Sequence, residues 1–240
     1  MDGIKEALQY AVALSEPKIQ KIDGQTYSDK QLYRISHEPS ATAIQMGTLK
    51  SLVDYIKANI DDMAEKMIVH VVSPTEVKLY SQLNDERDRE DLVTVGARVP
   101  KFEFSRFIDH EEFCIALQSK FINDINTDRA IVLQFAGTVE DSSVAEYGDT
   151  GVTQKAVVRT GIASKSEAVV PNPVRLKPYR TFLEVDQPIS EFIFRMKSER
   201  GIQCAIFEAD GGAWQNEAIQ NISSYLQTQL YGLDQFTVIS

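Results

Sequence analysis

Five cations crowd one proline-rich stretch and the strand-like run after it: Arg175, Lys177 and Arg180 in "VPNPVRLKPYRTFLEVDQP", and Arg195 and Lys197 in "SEFIFRMK". Guanidinium and ammonium groups form charge-assisted bonds to phosphate or carboxylate, and a stiff backbone lowers the ordering cost of binding. Pro171, Pro173 and Pro178 remove backbone donors and bias the chain toward extended conformation, so the stretch reads as a rigid edge or surface segment rather than a central strand. Tyr179 to Gln187 then alternate: Tyr179, Thr181, Leu183 and Val185 on one side, Arg180, Phe182, Glu184 and Asp186 on the other. That pattern predicts a strand ended by Pro188. If the next strand folds back, Arg195 and Lys197 join the first three in an anion site or a subunit contact. The same residues also suit edge protection, because proline and charge keep a sheet edge from pairing with another chain.

Gly211 and Gly212 follow "FEAD" and precede a helical pattern, so the turn would leave backbone N–H groups at a helix N-terminus, able to receive a phosphate or carboxylate. Glu208 and Asp210, two apart on a predicted strand, share a face and could hold a divalent cation with Asp141 or Asp149. The alternative has Asp210 ending the strand and capping the helix near Trp214. Capping is the reading adopted, and neither a metal nor a cofactor is expected. His37, His70, His110 and the two cysteines share no metal-ligand spacing, "HEE" at His110 is not HExxH, and no GxSxG elbow occurs. Cys114 and Cys204 sit in apolar stretches and read as buried thiols. No catalytic residues are assigned, and an enzyme is not the expectation.

A chain of 240 residues, 43% hydrophobic and 25% charged, is long enough to bury a core. Its net charge of −10 argues against coating duplex DNA nonspecifically. Between Val152 and Arg200, however, nine cations face five acids, which permits a local anion site on an acidic protein. No apolar run spans a membrane and no leader pattern opens the chain, so the expected setting is the cytoplasm.

The elements that must position these residues are read from periodicity. Ile4 to Leu14 and "TLKSLVDYIKANI" carry apolar residues at helical spacing, the second with Thr48 as N-cap. "KMIVHVVSPTEVKLYSQL" predicts a β-hairpin around Ser73 to Glu76. "LVTVGARVP" is a further strand, and "DHEEFCIALQSKFIND" a helix capped by Asp109. "AIVLQFAGTVE", "GVTQKAVVRTG", "RTFLEVDQ", "SEFIFRMK" and "QCAIFEAD" read as short strands, and "GGAWQNEAIQNISSYLQTQL" as a closing amphipathic helix. Residues 18–40 read as a connecting arm, Asn84 to Asp91 as a solvated loop, and "TVEDSSVAEYGDTG" as a mobile acidic loop. The expectation is an α+β fold, a mainly antiparallel or mixed sheet with covering helices. Residues 1–34 form an N-terminal helix and arm, and 35–240 a single domain.

The long proline-rich stretch through "ISEFIFR", together with "SPTEVKLYSQL", "EEFCIALQSKF", "DTGVTQ", "RTGI" and "FEADGGAW", resembles the YfdQ-like family of temperate-phage and prophage proteins over roughly residues 35–230. The resemblance is most specific at PYRTF and EADGGxW. It implies a bacterial cytoplasm during phage infection and brings no catalytic residues. The expected function is a non-enzymatic phage accessory protein that self-assembles as a homo-oligomer. It would bind a host defence component or a phosphate-bearing ligand, nucleotide or nucleic acid, through Arg175, Lys177, Arg180, Arg195, Lys197, Gly211 and Gly212. The alternatives are an oligomeric scaffold and, third, a metal-dependent phosphoesterase built on Glu208 and Asp210.

Overall fold

The computed structural model describes residues 2–31, 41–63, 65–84, 87–138, 144–149, 154–160, 164–197 and 201–240. The chain divides into two compact units, Met1–Ser40 and Ala41–Ser240. In the first, helix α1 (Asp2–Ser15) is followed by an antiparallel hairpin of β1 (Ile19–Ile22) and β2 (Gln25–Ser28). Residues 18–40 are therefore more than an arm. The hairpin turns at Asp23 and Gly24, with φ of 51° and 81°, the paired left-handed geometry that suits a two-residue hairpin turn. Residues 32–40 lie outside the described part of that arm.

The second unit has two hydrophobic cores. The first lies under a mixed five-stranded sheet in the order β14-β4-β5-β6-β3, comprising β3 (Ile44–Met46), β4 (Met67–Ser73), β5 (Glu76–Ser81), β6 (Asp91–Gly96) and β14 (Phe236–Ile239). The two outer strands run parallel to their neighbours, and β4, β5 and β6 are antiparallel. Val69, Val71, Val77, Leu79, Val93 and Val95 alternate along these strands onto one buried face. Helices α2 (Leu49–Ala58) and α5 (Ala213–Gln229) cover it with Leu49, Leu52, Ile56, Ile222 and Leu226. Thr48 caps α2 as expected, accepting the Ser51 N–H at 3.1 Å.

The second core belongs to an antiparallel sheet ordered β11-β12-β13-β7, with β7 (Ile108–Asp109), β11 (Val174–Leu176), β12 (Ser190–Lys197) and β13 (Gln203–Glu208). Its inner face carries Val174, Leu176, Phe192, Phe194, Met196, Cys204 and Ile206, covered by α3 (His110–Lys120) and α4 (Arg129–Thr138). Asp109 caps α3, accepting from Glu111 and Glu112 N–H. The predicted strand at "AIVLQFAGTVE" is wrong: this is α4. Its buried residues Val132, Phe135 and Ala136 fall at helical i, i+3, i+4 spacing, and a short apolar run does not separate the two periods by itself. An antiparallel meander of β8 (Val144–Asp149), β9 (Gln154–Thr160) and β10 (Ser164–Val170) completes the unit. The acidic segment expected as a loop thus contains β8; of its other residues, Thr138 ends α4, and 139–143, 150 and 151 lie outside the described residues. The architecture is α+β, with mixed and antiparallel sheets and covering helices. Among the described residues no helix is long and apolar enough to cross a membrane.

Candidate functional site

The proline-rich stretch begins as foreseen, since β11 is an edge strand. It does not continue as a strand through Tyr179 to Gln187. Arg180, Thr181 and Phe182 are buried in succession, which no alternating strand permits. The backbone donors of Arg180 and Thr181 go to a side chain, the Gln187 Oε1, at 2.9 and 3.1 Å. Gln187 Nε2 returns bonds to the carbonyls of Phe182 and Val185 at 2.8 and 3.3 Å. One buried amide thereby satisfies both ends of an irregular loop and replaces the ladder that a strand would have used.

That loop joins the two cores. Phe182 plugs the first, the Thr181 hydroxyl donates to the Pro74 carbonyl in the β4–β5 turn, and Glu184 accepts the Lys50 N–H at the start of α2. At its upstream end, Ile122 and Tyr179 N–H groups bond the carbonyls of Lys177 and Lys120 at 2.8 and 3.0 Å, fastening the stretch to the segment after α3.

The five cations separate into two groups. Lys177 is 8% exposed, and its Nζ bridges Asp186 at 2.8 Å and Asp124 at 3.2 Å. Donation to Asp186, and then to Asp124, holds its ammonium above the usual range despite burial. Arg180 is 7% exposed: Nη1 donates to Glu208 at 2.7 Å, and Nη2 donates to the Ser190 hydroxyl. Its guanidinium lies 4.0 Å from the Trp214 ring centroid and 5.5 Å from that of Phe192. Burial pushes Arg180 down to about 10, opposed by Glu208 and Asp210, so it stays charged at neutral pH. Neither side chain is presented to a ligand from solution.

Arg175, Arg195 and Lys197 form the other group. Arg175 pairs across from Glu191, and Glu191, Ile193, Arg195 and Lys197 alternate along β12 away from the buried Phe192, Phe194 and Met196. All three cations therefore sit on the outer face of the four-stranded sheet. Lys197 Nζ is 4.6 Å from the Phe107 centroid, and Phe107 meets Phe207 edge to face. Arg195 Nη1 donates to the Phe194 carbonyl at 2.9 Å.

Gly211 and Gly212 adopt φ of 63° and 83°, conformations that favour glycine, and Gly212 is the N-cap of α5. Asp210 does not cap the helix as expected: its Oδ1 accepts the Gly212 N–H at 3.0 Å within the turn, and the N-cap is Gly212, with no side-chain cap bond, because the two glycines carry the chain round before the helix starts. Glu208 is engaged by Arg180, Asp149 ends β8, and Asp141 lies outside the described residues. Among the described residues no cluster of His, Cys, Asp and Glu is placed to hold a metal ion.

The sequence names His110 and Cys114 separately but does not pair them, and Cys114, expected as a buried thiol, is only half-buried. His110 Nε2 is 2.6 Å from the Ala136 carbonyl and 3.8 Å from Cys114 Sγ. The carbonyl requires a proton on that nitrogen, so it does not serve as base to the thiol. Burial raises the Cys114 thiol, the reverse of what activation needs. Cys204 is fully buried and free. Comparison of the chain with family models, curated proteins and solved structures finds no match.

Two outcomes are expected. Arg180→Ala empties the aromatic cage and strands Glu208, costing about 3 kcal/mol in urea denaturation. Arg180→Met, which refills the space without charge, should cost less. Trp214, the one tryptophan, reports both by fluorescence, and a parental midpoint for Arg180→Ala would refute the keystone role. Asp124 is held below its usual 3.8 by the Asn126 N–H and then by Lys177. A depressed carboxyl contributes stability above its unfolded value and loses it as pH falls through the folded one. Asp124→Asn should thus be less stable than the parent near neutrality, with the gap closing in acid; a gap independent of pH contradicts this.

Proposed function

We propose that this chain is a non-enzymatic accessory protein of a temperate phage or prophage, acting in the bacterial cytoplasm through self-assembly. The phage setting is supported by the sequence resemblance. Assembly is supported chiefly by the N-terminal unit, in which Ile4, Leu8, Tyr10, Leu14, Ile19, Ile22 and Tyr27 are all exposed. A helix of 14 residues is marginal alone in water, and one that is apolar on several sides needs cover. A scaffold role is one form of the same reading. Deleting residues 1–17 should lower the mass of the protein measured by sedimentation velocity, and an unchanged oligomer would remove the reading.

A second reading, a phosphate-bearing ligand such as a nucleotide or single-stranded nucleic acid, is favoured by one observation. Arg175, Arg195 and Lys197 share an outer sheet face with the Phe107–Phe207 pair, a combination of charge and aromatic surface suited to phosphates and bases. Arg180 is the wrong probe of this surface, since its substitution reports folding. Arg175→Glu should reduce the slope of log affinity against log salt for a labelled oligonucleotide by about 1. Identical slopes for parent and variant would eliminate the reading.

A further inference from the structure

Two sheet edges in the second unit are finished differently. At β11, the outermost strand of the four-stranded sheet, Asp128 fills the free edge: its carboxylate accepts the Arg175 N–H at 2.7 Å, and its own N–H donates to the Arg175 carbonyl at 2.8 Å. Pro173 and Pro178 bracket that strand and Arg175 charges it, which keeps another strand from pairing there. β14, the outermost strand of the five-stranded sheet, has neither proline nor charge in Phe236–Ile239.

The backbone groups that β14 leaves open follow from its ladder. Met67 N–H donates to the Gln235 carbonyl at 2.8 Å, and the parallel register aligns Phe236 with Met67. In a parallel ladder alternate residues turn both backbone groups to the neighbour, so Gln235, Thr237 and Ile239 face β4, while Phe236, Val238 and Ser240 face away. The Phe236 N–H is taken by the Leu233 carbonyl at 3.0 Å. Among the described residues, the Val238 N–H, the Val238 carbonyl and the Phe236 carbonyl have no backbone partner. The side chains of Phe236 and Val238 pack on the first core, and those of Thr237 and Ile239 lie exposed on the opposite face.

We infer that β14 pairs antiparallel with β14 of a second copy of this chain, about a two-fold axis at Val238, joining two five-stranded sheets into one. The open groups are self-complementary in this register. Each Val238 N–H donates to the other copy's Val238 carbonyl, and each Ser240 N–H meets the other copy's Phe236 carbonyl. A shift of two residues one way meets the Phe236 N–H, which is already used, and a shift the other way leaves the Phe236 carbonyl open. The register also sets Thr237 of each copy against Ile239 of the other, a close pair of β-branched side chains that covers Ile239, 43% exposed in the single chain. A strand added here lies along the groove that Gln227, Leu230 and Tyr231 form beside β14, and gives cover to Tyr231, 92% exposed. The inference takes from the self-assembly reading only that copies associate, and it places the contact away from residues 1–17.

The experiment is disulfide trapping in the full chain. Thr237→Cys and Ile239→Cys are made separately, mixed, and oxidised with glutathione disulfide, with the parent reporting any background from Cys114 and Cys204. Opposed residues of a non-hydrogen-bonded pair have Cα atoms about 4.5 Å apart, within disulfide reach. The mixture should yield several-fold more cross-linked heterodimer than either variant yields alone as homodimer; equal yields, or none, overturn the pairing. Val238→Pro removes the open N–H without touching a bond to β4, and Ile239→Lys charges the edge without touching the core, so each should associate about tenfold more weakly in sedimentation velocity. Parental association in every variant that folds also overturns the pairing. If deletion of residues 1–17 lowers the mass while the mixture does not cross-link, the N-terminal assembly reading survives and the β14 contact fails; cross-linking with a mass unchanged by that deletion does the reverse. A parent chain monomeric at every concentration removes both.

Discussion

The second unit depends on keeping one guanidinium charged in a place with little water. Arg180 lies among Trp214, Phe192 and Phe104, and its charge is offset by Glu208 and the dipole of the Ser190 hydroxyl. Such a group stabilises a fold only where partners offset its charge, because a buried charge without them costs several kcal/mol; here both Nη groups are bonded while Nε is buried without a hydrogen-bond partner among the described residues. Those partners come from β12, from the end of β13 and from the first turn of α5. One side chain therefore ties the sheet of the second core to the helix that covers the first.

Phe182, Thr181 and Gln187 extend the same tie along the backbone. Phe182 enters one hydrophobic core, Thr181 bonds the turn at Pro74, and Gln187 supplies the hydrogen bonds that an irregular buried loop otherwise lacks. Lys177, between Asp124 and Asp186, secures the upstream end. The cationic character of the stretch is thus divided. Lys177 and Arg180 hold the interior together, and Arg175 with Arg195 and Lys197 faces outward beside aromatic rings. In the N-terminal unit, by contrast, the described apolar residues Ile4, Leu8, Tyr10, Leu14, Ile19, Ile22 and Tyr27 are exposed.

Several features were legible because their causes are local. Thr48 and Asp109 cap their helices through bonds to N–H groups two or three residues away, and the hairpin of β4 and β5 follows from alternation around Ser73 to Glu76. Where the signal was weak, reading failed. The run Ala130 to Leu133 is too short and apolar to separate strand from helix. The hairpin at Asp23–Gly24 carries a strong turn signal between flanks too polar to attract notice. The short strands β3 and β14 pair in parallel with partners remote in sequence, so nothing near them announces the pairing.

By itself the sequence determined periodicity, caps and turns, and with them the α+β class, since each depends on residues within a turn or a strand of one another. Tertiary structure alone decided which cations are buried among partners and which lie on the outer sheet face. A charged side chain is ordinarily solvated, and nothing adjacent to Arg180 shows that Glu208 and Trp214, 28 and 34 positions later, will enclose it. Whether a charge is buried depends on the dielectric and partners assembled around it, and those exist only once the chain has folded.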